Sequence, residues 1–80
     1  MVIKYSKNFA GKLKKIKKKN PSLEVKVDRK LKLLLLDKHH PSLRLHKIIS
    51  HENSWSISVD MNIRILFLYR EYGILLVTIG

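Results

Sequence analysis

Four histidines, His39, His40, His46 and His51, are the side chains of this 80-residue sequence best suited to proton transfer near neutral pH or to metal ligation. Their spacing matches no metal-ligand motif, and the absence of cysteine excludes a thiolate zinc site and a cysteine nucleophile. No metal and no other cofactor is expected. His46 lies between Leu45 and Ile48, just ahead of a strand-like stretch, where a side chain can be held by structure. It reads either as a packing or hydrogen-bonding residue or as an acid–base group, whereas the other three read as solvated loop residues. Arg64 is the second candidate. It interrupts the apolar run Ile63-Arg64-Ile65-Leu66-Phe67. A guanidinium beside Leu66 and Leu68 needs either a structural ion pair or an anion such as phosphate to offset its desolvation. The sequence has no Gly-rich phosphate loop, no paired carboxylates and no Ser/His/Asp arrangement, so hydrolases and nucleotide-binding enzymes of those kinds are disfavoured.

The basic residues form the third group. Residues 1–47 carry 15 Lys and Arg against Glu24, Asp28 and Asp37, a balance of +12, while residues 48–80 balance at −1, giving the net charge of +11. A charged helix face is commonly only solvated, but this density exceeds what solubility requires. Contact with a phosphate backbone accounts for it better, and the candidate RNA-binding residues are Lys12, Lys14, Lys15, Lys18, Lys19, Arg44 and Lys47.

The elements that must position these side chains follow from the apolar pattern. Val2 to Tyr5 reads as a short strand. Phe9, Leu13 and Ile16 recur at helical spacing within Lys7–Lys19, with Ser6 as N-cap and lysines on the remaining arc. Asn20-Pro21 stops that helix and starts the next, with Asn20 as cap and Pro21 at the tolerated first position. Leu23, Val27, Leu31, Leu34 and Leu35 form the second helical stripe, and Asp37 to Pro41 ends it. An irregular stretch is expected from His46 to Asn53. Trp55, Ile57 and Val59 then alternate with Ser54, Ser56 and Ser58 as in a half-buried strand. Ile63–Arg70 is a second strand, with Ile63, Ile65, Phe67 and Tyr69 on one face. Ile74–Ile79 is apolar on both faces, as in a central strand. The reading is a single α+β domain over residues 1–80, a helical hairpin packed on an antiparallel meander. No apolar run approaches the roughly 18 residues of a membrane span. Met1-Val2-Ile3 leads directly into Lys4 without a signal-peptide core, so a mature cytoplasmic domain is expected.

Asn20-Pro21-Ser22-Leu23, Pro41-Ser42-Leu43-Arg44-Leu45-His46-Lys47-Ile48, Trp55-Ser56-Ile57-Ser58-Val59, Arg64-Ile65-Leu66-Phe67 and Ile74-Leu75-Leu76-Val77-Thr78-Ile79-Gly80 occur in that order. Together they resemble the RelE/ParE superfamily of type II toxin–antitoxin toxins, in particular its RelE, StbE and YafQ-like branch, over essentially the whole chain. The resemblance implies a helical hairpin against an antiparallel sheet. It also implies a ribosome-dependent mRNA endoribonuclease in which the 2′-hydroxyl attacks the adjacent phosphate. By motif position Arg64 matches the family's phosphate-stabilising arginine, and His46 matches the histidine of YafQ-like members. The implied partners are a cognate antitoxin with an acidic, partly disordered segment, the ribosome and mRNA; no membrane and no small-molecule ligand is implied. Lys12, Lys15 and Lys19 are the expected charge contacts for the antitoxin. Two departures are expected to weaken catalysis. Ser56 and Ser58 stand where RelE itself has lysines, and the family's usual tail after the isoleucine–glycine, bearing further site residues, is lacking after Gly80. The alternatives are a ParE-like toxin that binds gyrase and a non-catalytic relative that binds only its antitoxin.

Overall fold

The computed structural model describes residues 2–49 and 52–80; His51 lies outside the described residues. Helix α1 spans Lys7–Lys19 and helix α2 spans Pro21–Leu36. Ser6 caps α1 by accepting the Phe9 amide at 3.0 Å, which satisfies one of the orphan donors of the first turn. Asn20 closes one helix and opens the other: its amide donates to the Ile16 carbonyl at 2.7 Å, and its side-chain oxygen accepts the Leu23 amide at 3.2 Å. With Pro21 at the first helical position, that one residue sets the hairpin.

Phe9, Leu23, Val27, Leu31 and Leu34 are buried against the sheet, and Leu13 and Ile16 pack around them. Leu35, expected in the stripe, is 46% exposed. Steps of four and three carry the stripe through 23, 27, 31 and 34, and residue 35 falls one position round the cylinder toward solvent.

The sheet contains β1 (Val2–Tyr5), β2 (His46–Lys47), β3 (Ser54–Ser58), β4 (Arg64–Arg70) and β5 (Gly73–Ile79), in the spatial order β1-β5-β4-β3-β2. The β3–β4–β5 meander is antiparallel, as expected. Two edges differ from the sequence reading. β1 joins β5 in parallel, and β2 pairs with β3 inside the stretch expected to be irregular. A two-residue strand is too short to display an alternation of period two, so the pattern could not reveal it.

One irregularity governs the site. Leu66 pairs with Thr78 while Phe67 pairs with Leu76, so Val77 is an extra residue in β5. Such a bulge reverses the facing of everything beyond it. Ile74 and Leu76 face the core before it; after it Ile79 faces the core, and Thr78 shares the opposite face with Leu66. Ser6 holds this point. Its hydroxyl donates to the Val77 carbonyl at 2.6 Å and its amide donates to the Leu76 carbonyl at 2.9 Å, tying the start of α1 to the bulge.

Candidate active site

Arg64 opens β4, where its backbone exchanges two 3.0 Å hydrogen bonds with Gly80. Its side chain leaves on the face away from the helices. There Nε and Nη2 donate to the Ser56 hydroxyl at 3.3 and 2.9 Å, and Nη2 donates to the Arg44 carbonyl at 3.0 Å. Arg44 offers that carbonyl from a left-handed backbone conformation (φ 46°) that ends the 3-10 turn Pro41–Leu43, itself anchored by the fully buried Leu43. Both acceptors are neutral, and among the described residues no carboxylate pairs with Arg64. The guanidinium therefore keeps its full charge, and Nη1 carries no bond to the described residues.

The strand register sets out the rest. His46 pairs with Ser56, Ser56 with Leu66 and Leu66 with Thr78, so these four residues form one row across the face that carries Arg64. At about 4.8 Å per strand the row is roughly 14 Å long. At its far end Lys12 of α1 donates from Nζ to the Thr78 hydroxyl at 2.9 Å. Lys12, Ile48, Ser56, Arg64, Leu66 and Thr78 line an open cleft of about 360 Å³ without an acidic side chain among its described lining residues. Two cations, two hydroxyls and an apolar floor make a site for an anionic, partly apolar ligand, as a nucleotide is.

The structure brings Arg64 and Lys12 to this cleft and sets His46, exposed on the edge strand, in the same row. It does not bring the others there. Lys14, Lys15, Lys18 and Lys19 are exposed along α1, and Lys47 pairs with Trp55 on the opposite face. Arg44 serves the cleft through its backbone carbonyl, its side chain being exposed. His40 caps the 3-10 turn, with Nδ1 accepting the Ser42 amide at 3.2 Å. Thr78 is not among the expected site residues, and Ser56, expected only as a position where the cationic site is weakened, holds the Arg64 guanidinium instead. The alternation puts Ser56 on the solvent side of its strand, yet it is 8% exposed, covered by the guanidinium it anchors. Thr78 is the one polar residue inside Ile74–Ile79, but strict alternation with Ile74 and Leu76 puts it on the core face, so its sequence position gives no signal for the cleft.

No family model and no curated protein matches the chain. Solved structures do. The YoeB/ParE toxin from Agrobacterium tumefaciens superposes with a TM-score of 0.86 at 7% identity, over 99% of this chain and 95% of that one. YoeB in the heterotetrameric YoeB–YefM toxin–antitoxin complex from Staphylococcus aureus gives 0.82 at 12% identity, over 98% and 92%. The E. coli DinJ–YafQ complex gives 0.82 at 16% identity, over 99% and 90%. The chain has the fold of the RelE/ParE-superfamily toxins, with two helices on one side of a five-stranded mixed sheet.

Proposed function

We propose that this chain is the toxin of a type II toxin–antitoxin pair and that it cleaves mRNA on the ribosome in the cytoplasm. The observation that carries the reading is Arg64: a guanidinium held by two neutral acceptors at the rim of an open cleft, on a fold shared with such toxins. Cleavage by internal transfer needs few protein groups. The 2′-hydroxyl loses its proton to a base and attacks the adjacent phosphorus. The 5′-oxygen leaves with a proton from an acid, giving a 2′,3′-cyclic phosphate and a 5′-hydroxyl end. Between these steps the phosphorane carries extra negative charge, and the unused donors of Arg64 are suited to it. His46, in the same row, is the candidate for a proton-transfer step. Exposed Lys14, Lys15, Lys18, Lys19, Arg44 and Lys47 would grip ribosomal RNA by charge. An antitoxin with an acidic segment is the matching protein partner for a surface this basic.

The test challenges programmed ribosomes and DNA gyrase with the same purified chain. Cuts in mRNA read by primer extension, with supercoiling unaffected, are the expected result. Inhibited supercoiling without cuts would replace the reading with a ParE-like one. Antitoxin binding with neither effect would leave a non-catalytic relative.

A further inference from the structure

We infer that Lys12 is a second phosphate-binding cation of the cleft, held in place by Thr78, and that Arg64 and Lys12 bracket one nucleotide of a bound RNA strand. This rests on the reading of the cleft as an RNA site and adds which substrate groups it contacts. Among the α1 lysines of the described residues, Lys12 is the one whose ammonium makes a side-chain hydrogen bond, and its acceptor is a hydroxyl, not a carboxylate. Its charge is thus undiminished, and two of its three donors stay free. Arg64 is held in the same manner by the Ser56 hydroxyl. Ser56 and Thr78 are separated by two strand spacings, about 10 Å, with Leu66 between them. The two hydroxyls that hold the cations are thus farther apart than one phosphate spans with bonds of about 2.8 Å on each side. Two phosphates with a nucleoside between them suit the spacing, the sugar and base resting over Leu66 and Ile48. The bulge at Val77 is what makes the arrangement possible, since without it Thr78 would face the core.

Adenosine 3′,5′-bisphosphate is the smallest probe with that layout. Binding would be followed by amide chemical shifts at low salt, with the same spectra reporting that each variant is folded. The bisphosphate is expected to bind about tenfold more tightly than either adenosine 3′- or 5′-monophosphate, the usual gain from one charge-assisted contact. Lys12→Gln should erase that preference, Thr78→Val should reduce it, and Lys17→Gln, a loss of one exposed charge on the same helix, should leave it. The inference is overturned if Lys12→Gln keeps the preference, if Thr78→Val leaves it undiminished, if Lys17→Gln removes it equally, or if pyrophosphate binds as tightly as the bisphosphate. No ribosome is involved, so a wild-type chain that binds the bisphosphate but leaves mRNA uncut separates this result from the cleavage reading.

Discussion

Arg64 illustrates how a charged side chain becomes available for chemistry. Hydrogen bonds to a hydroxyl and a carbonyl fix its direction without neutralising it, whereas a carboxylate would have consumed the charge needed at a phosphate. Removing the Ser56 hydroxyl by Ser56→Ala should therefore slow mRNA cleavage about tenfold, from a lost hydrogen bond to a charged group. The melting temperature should barely change, and a rate unaltered in a folded Ser56→Ala chain would deny Ser56 its positioning role. Tyr69 shows the reverse situation. Its hydroxyl is buried without a hydrogen-bond partner, its ring stacks edge-on against Trp55 and Phe67, and burial pushes its phenol above the usual value near 10. Tyr69→Phe should stabilise the fold by about 1 kcal/mol, as expected when an unsatisfied buried polar group is removed. The sign of the pH effect follows from the direction of the shift. A raised folded value contributes stability that is complete below about pH 10 and is lost as the pH rises through the folded value, because the unfolded phenol ionises first. Melting curves should show a steeper alkaline decline for the wild type than for Tyr69→Phe.

At the scale of elements, the caps and stripes were legible and the sheet's details were not. Ser6, Asn20 and Pro21 announced both helices because capping is local chemistry that a few residues determine. Strands β3 and β4 follow from alternation, and β5 from a run that is apolar on both faces. β2 was missed because two residues show no period, and Leu35 was misplaced by one step around α2. Arg64 could be singled out as a charge inside a strand-like apolar run, and His46 as a histidine just ahead of the strands. Thr78 could not, since strict alternation from Ile74 and Leu76 turns it inward and only the bulge at Val77 turns it toward the cleft. Ser6 joins the two levels, capping α1 and binding the bulge carbonyl. Ser6→Ala should cost about 1–2 kcal/mol and Asn20→Ala about 1 kcal/mol. Denaturant titration would compare them; equal losses would mean that the link from Ser6 to Val77 contributes nothing.

The whole molecule divides its labour by charge. The excess of +12 lies in residues 1–47, which hold both helices, while the sheet-forming remainder is near neutral and contributes Arg64 to the cleft. Exposed charges of one sign act over a screening distance of about 10 Å at 0.1 M salt. Binding of an acidic antitoxin peptide, measured by calorimetry, should weaken steeply as salt is raised, and affinity indifferent to salt would contradict the electrostatic account of the partner. Within that whole, the role of Arg64 is decided by single-turnover cleavage of mRNA on programmed ribosomes. A folded Arg64→Ala chain is predicted to cut about 10²–10³-fold more slowly than the wild type, the usual loss when a donor to developing negative charge is removed. Cleavage by that variant at the wild-type rate would contradict the assignment of Arg64.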